Sequence, residues 1–274
     1  MSAFSRSWNL VQATWGVLRA DKELIVFPIV SAIAAILVTI AFAVPEFLLY
    51  SAGGNEALGY VILFLFYLVQ YTVITFANSA LVGAAMIRLR GGDPTLSDGL
   101  SIAFSRLGAI VGYALIAATV GMILQALSER GTLGRIVRSI LGTAWNLITF
   151  LVVPVLVVEN VGPIEAVKRS AGLLKRTWGE QVVGSAGMGF VFFLFFLLAT
   201  VIAGAGVALG ISLNSVVLIV AFVALGILFY VALALISSTL GGIYAAALYR
   251  YAAEGATSNQ FAPELIQNAF RAGR

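Results

Sequence analysis

The sequence predicts an all-α integral membrane protein: six transmembrane helices in three parallel hairpin repeats, each hairpin preceded by an interfacial amphipathic helix. Three observations lead there. The 274 residues are 61% hydrophobic and 10% charged, with a mean hydropathy of +1.04, whereas soluble domains are about 45–50% apolar and about 25% charged. Six apolar runs reach the length of about 20 residues that a bilayer core requires, and two distant stretches of the chain repeat each other.

The elements follow in chain order. In the first 20 residues Phe4, Trp8, Val11, Trp15 and Leu18 share a face at 100° per residue, with Ser5, Arg6, Asn9, Gln12 and Arg19 opposite. Such a helix lies in the membrane interface with its cations toward anionic headgroups, and Trp15 is its expected anchor. The first span is residues 24–50. Ala41-Phe42-Ala43 looks like a leader cleavage site, but the preceding segment with its two Trp is a poor leader, so this run is expected to remain as a span.

The second span, 58–87, ends at Arg88, where a cation suits the negative pole of a helix. Gly91-Gly92-Asp93-Pro94 forms a turn, and Thr95 or Ser97 can cap a middle pre-hairpin helix. Spans 107–127 and 136–158 follow. Pro163 suits the first turn of a third pre-hairpin helix, in which Val167, Ala171, Leu174 and Trp178 oppose Lys168, Arg169, Lys175 and Arg176. Trp178 is expected to anchor this helix as Trp15 anchors the first. Spans 182–209 and 216–249 complete the set and end at Arg250. The Phe-rich run 190–196 is expected to meet lipid. Gly206 with Gly210, and Ser238 with Gly242, permit close helix approach, within one chain or between copies of a homo-oligomer.

The repeat is visible without gaps. AFSRSWNLVQATWG from Ala3 laid over AVKRSAGLLKRTWG from Ala166 gives seven identities in fourteen positions, among them Ser7/Ser170, Leu10/Leu173, Thr14/Thr177 and Trp15/Trp178. The ends of the second and sixth spans align at nearly the same offset, Arg88 falling on Arg250. A middle copy fits by order, with Ala103-Phe104-Ser105-Arg106 echoing Ala3-Phe4-Ser5-Arg6. Residues 1–250 therefore form a single transmembrane domain with repeats at about 3–90, 94–158 and 163–250, and 251–274 form a cytoplasmic tail. All copies start on one side, so they are parallel repeats, unlike the inverted repeats of many transporters.

Orientation follows from the 16 Lys and Arg. Thirteen lie in the pre-hairpin segments and the tail; the opposite side holds only Arg130, Arg135 and Arg138. The excess places both termini in the cytoplasm, with the loop between the third and fourth spans as a local exception.

The chain has no Cys and no His. That excludes disulfides, thiolate nucleophiles, imidazole catalysis and nearly every zinc, haem or iron–sulfur site. No phosphate-binding glycine loop or nucleophile elbow stands in a suitable setting, and no cofactor or nucleic-acid partner is predicted. Glu159 is the most informative charge. It sits at the negative end of the fourth span, at a cost of about 0.3–1 kcal/mol, and needs compensation from Lys168 or Arg169, from free amides of the next helix, or from Arg88 and Arg250 if the hairpin ends converge. It is expected to be a structural ion pair; the alternative is a gate. Gln70, Asn78, Gln125 and Asn146 are polar within spans and serve either interhelical hydrogen bonds or a hydrophilic path.

The stretch from Pro154 to Ala166 (PVLVVENVGPIEA), running into Lys168-Arg169-Ser170 and Thr177-Trp178-Gly179, together with the closing YAAALYRY from Tyr244, resembles a prokaryotic family of uncharacterised six-helix membrane proteins. A looser likeness of pattern reaches the non-catalytic membrane domain attached to some glycerophosphodiester phosphodiesterases. The resemblance implies a fold and a prokaryotic cytoplasmic membrane; it implies no reaction. The expected function is a non-enzymatic structural or scaffolding module with membrane lipids, including anionic cytoplasmic headgroups, as its partners. The alternative is a passive channel or carrier. An intramembrane lipid-processing protein comes third, since Glu159, Asp93 and Asp98 offer carboxylates but no catalytic arrangement.

Overall fold

The computed structural model describes residues 3–51, 53, 55–178, 187–257 and 261. They form ten α-helices and no strand. The helices are α1 Ala3–Ala20, α2 Val26–Ser51, α3 Glu56–Leu89, α4 Leu96–Ser105, α5 Leu107–Ser128, α6 Gly131–Ile148, α7 Val152–Glu159, α8 Pro163–Trp178, α9 Gly187–Ser212 and α10 Val216–Tyr249. Six stretches are long and apolar enough to cross a membrane: Lys22–Ser51, Glu56–Leu89, Leu107–Ser128, Gly131–Glu159, Val191–Ser212 and Val216–Glu254. The expected start of the fifth span at 182 lies outside the described residues, as does the side chain of Trp178.

Helix α2 packs along α3, α5 along α6 and α9 along α10. The short helices are shared out in a definite order: α4 lies on α3, α8 on α5, α6 and α7, and α1 on α9 and α10. Helix α4 begins at a capping box. Thr95 Oγ1 accepts from the Asp98 amide at 3.2 Å, and the Asp98 carboxylate accepts from the Thr95 amide at 2.9 Å and its hydroxyl at 2.7 Å. These bonds hold the Asp98 carboxyl below its ordinary range. The cap's contribution is therefore complete at neutral pH and is lost only as pH falls through that lowered value.

The fourth span differs from the expected continuous helix. It starts earlier, at Gly131, and breaks between Ile148 and Val152. The cause is Pro154, which has no N–H to donate and whose ring crowds the carbonyl four residues back, at Phe150. Across the break Ser170 of α8, fully buried, donates to the Ile148 carbonyl at 2.6 Å and accepts from the Leu151 amide at 3.0 Å.

The core is confined to one end of the bundle. It joins Leu81–Leu89 of α3, Val152–Val157 of α7 and Leu240–Tyr249 of α10, covered by Leu10, Val17 and Leu18 of α1 and Leu173 and Leu174 of α8. The other halves of α2 and α10 expose apolar side chains such as Phe47, Val217 and Leu228. Gly206 and Gly210 both face α10 of the same chain: a Cβ on Gly206 would strike the Phe222 ring, and one on Gly210 would lie 2.9 Å from the Ile219 backbone nitrogen. Gly242 likewise faces Leu81.

On α1 the buried face is Ser7, Leu10, Thr14, Val17 and Leu18, packed against α9 and α10, while Trp8 and Trp15 of the expected interfacial face are 37% and 38% exposed. Two expectations are corrected here. The Phe run is not a lipid-facing girdle. Phe192 is buried, Phe195 lies 6.4 Å from the Trp8 ring and Phe196 5.5 Å from Tyr230, leaving Phe193 exposed, because α1 covers that side of α9. Finally, α10 continues past Tyr249 as a π turn, Arg250–Glu254, and Phe261 of the expected tail is fully buried in the core.

Candidate functional site: a charged clasp and a polar cleft

The C-terminal ends of α3, α7 and α10 meet at the cored end of the bundle, so three negative helix poles converge. Cations answer them. Arg250 Nη1 donates to the carbonyl of Leu89, the last residue of α3, and Arg176 Nη2 donates to the Ala252 carbonyl at 3.0 Å. Arg88 forks onto both carboxylate oxygens of Asp21 and reaches Asp93 Oδ1 at 2.5 Å. Arg90 pairs with Glu254, and Arg106 donates to Asn160.

Glu159 lies in this clasp. Arg169 Nε donates to its oxygens at 2.9 and 3.0 Å, and the Tyr249 hydroxyl donates to Oε1 at 3.1 Å. Of the candidate partners, Arg169 takes the role, while Lys168 is exposed. Arg88 and Arg250 are in the same cluster but bind Asp21, Asp93, Glu254 and Leu89. Asp21, which the sequence reading had not singled out, is 93% withdrawn from solvent, its side chain 7% exposed. Arg169 is 44% exposed, so solvent screens the Glu159 pair and limits it to about 1 kcal/mol. Glu159→Gln is expected to lower stability in detergent by about that amount, more than Glu165→Gln at the exposed first turn of α8; equal thermal midpoints for the two variants would contradict it.

The second site is a cleft of about 340 Å³ between α3, α5 and α6. Its walls carry Tyr67 and Tyr71 of α3, Tyr113 and Gln125 of α5, and Arg138, Trp145 and Asn146 of α6. Gly121 leaves room for Tyr71, whose hydroxyl would lie 3.3 Å from a Cβ there. Of the four residues proposed for a polar path, Gln125 and Asn146 line this cleft and Gln70 and Asn78 do not. Thr75 and Ser79, beside Asn78, are buried in the core. The lining runs from Ala117 and Thr149 toward the far ends of α5 and α6. Toward the cored end Ile110, Ala114, Leu151 and Val155, outside the lining, are fully buried.

The clasp, the cleft and the closing π turn all lie in helices from α3 onward, with α1 and Asp21 as additions from the N-terminal side. A family model covers that stretch, matching residues 57–259. The chain belongs to a family of unknown function (DUF6159). None of the curated proteins matches it. The match includes Arg88, Glu159, Arg169 and every residue that lines the cleft, whereas Asp21 precedes it.

Proposed function

We propose that this member of the family is a non-enzymatic structural module of a prokaryotic cytoplasmic membrane, built from three parallel repeats and holding other membrane components in place. The observation that carries the reading is the closed order of packing: the pre-hairpin helix of each repeat rests on the hairpin before it, and the first, α1, rests on the last. The second helices of the three hairpins, α3, α6–α7 and α10, supply the central core and the charged clasp. The two copies also share their inward face, since Ser7 and Leu10 of α1 and Ser170 and Leu173 of α8 are identical pairs in the alignment and all four are buried. Such a ring resists opening, which suits a platform for partners or further copies.

A passive channel or carrier is the second reading, favoured by the presence of Gln125 and Asn146 in one polar cleft. The buried core toward the cored end weighs against a through path. In proteoliposomes the module is expected to pass K+, protons and small neutral solutes no faster than protein-free vesicles do; a saturable flux lost in Asn146→Leu would replace the platform by the carrier. Topology has its own test, since the chain has no Cys. With both termini cytoplasmic, a Cys placed at Ser51 reacts with an impermeant maleimide in intact cells and one at Ser258 does not. The reverse pattern would invert the protein.

A further inference from the structure

The cleft contains an unpaired cation. Arg138 lies seven residues into α6, about 10 Å along the helix from Gly131, where it lines the cleft and is open to its mouth. Among the described residues it has no ion pair. It also belongs to the three arginines that break the charge asymmetry of the chain, all on or beside α6.

The rest of the lining has one chemical bias. Three tyrosines, two carboxamides and Trp145 line the cavity together with Arg138, and no carboxylate lines it. Arg donates only, Tyr and the amides can donate, and nothing negative competes. A cation would find no counter-charge there, whereas an anion would find Arg138 and a set of donors. Beside these polar groups the cleft has an apolar wall, Ala117, Val120 and Leu124 of α5. A cation and donors next to an apolar wall match a molecule with a charged head and a hydrocarbon chain.

We propose that the α3–α5–α6 cleft is a binding site for an anionic amphiphile, with a phosphate or carboxylate head held by Arg138 and the tyrosine hydroxyls and the start of an acyl chain lying against Ala117, Val120 and Leu124. Under the proposed topology the head enters from the non-cytoplasmic leaflet, and Arg138, one of the three arginines that depart from the charge rule, receives it.

The test uses the full chain in a neutral detergent, with bound ligand counted by native mass spectrometry. Lysophosphatidate is expected to bind at least tenfold more tightly than lysophosphatidylcholine of the same chain length. Inorganic phosphate at the same concentration should not displace it. Arg138→Gln should abolish the preference and Arg138→Lys restore most of it, while Arg135→Gln, on the same helix but outside the lining, leaves it intact. Gly142→Phe, which fills the cleft, should remove both lysolipids, and its thermal midpoint shows whether it has folded. Equal binding of the two lysolipids, or a preference that survives Arg138→Gln, overturns the anionic assignment. Displacement by inorganic phosphate overturns the amphiphile in favour of a soluble anion, and unaltered binding in folded Gly142→Phe overturns the location.

Discussion

Asp21→Ala is expected to cost about 3 kcal/mol of stability, the largest effect of any single charge removal in the protein. Asp21 lies between α1 and the 3-10 turn Lys22–Ile25, with its amide bonded to the Val17 carbonyl at 3.1 Å and its carboxylate forked by Arg88. The pair ties the first pre-hairpin helix to the end of α3, across 67 positions of sequence. Removing one partner of a buried pair leaves the other charge desolvated, which costs about 3–5 kcal/mol. The lower end applies because Arg88 is 22% exposed and can turn fully to Asp93. The double variant Asp21→Leu/Arg88→Met should recover much of the loss, since an apolar pair carries no stranded charge. Thermal unfolding in detergent reads both, and an Asp21→Ala protein within about 0.5 kcal/mol of the parent would make the pair ornamental.

What could be read from the sequence was what depends on neighbours along the chain. The spans follow from hydropathy over a window of about 20 residues, the Thr95 cap from Asp98 three positions on, and the position of Arg169 near Glu159 from a separation of ten. The Asp21–Arg88 pair depends instead on how the start of α2 is set beside the end of α3, 67 positions apart, and an acidic residue at a helix end looks the same whether it faces water or an arginine. On α1 hydrophobicity marks the tryptophan face but not the buried one, because the small polar Ser7 and Thr14 score as surface. The repeat held the missing signal: the identities at Ser7/Ser170 and Leu10/Leu173 mark the buried face in both helices. Arg138 was visible only as an exception to the charge count. Its meaning depends on α6 starting at Gly131, which puts it on a helix and in the cleft rather than in a loop.

Ser170→Ala is the second large expectation, at about 2–3 kcal/mol. Pro154 interrupts the fourth span and leaves the Ile148 carbonyl and the Leu151 amide without helical partners. The Ser170 hydroxyl serves both, at 2.6 and 3.0 Å, in a fully buried position. Without it two backbone groups remain unpaired, and each buried orphan costs about 1–3 kcal/mol; relaxation of the non-helical linker recovers part of that. Ser97→Ala, at an exposed position of α4, should change stability by a few tenths at most. Amide exchange locates the effect: Leu151 should lose protection in Ser170→Ala while Ile110 keeps it. The proline supplies the decisive control. Pro154→Ala restores the donor that the helix lacks, lets α6 run into α7, and so removes the need for a bridging hydroxyl; the double variant Pro154→Ala/Ser170→Ala should then be less destabilised than the sum of its parts. Strict additivity would mean that Ser170 does something other than mend the break.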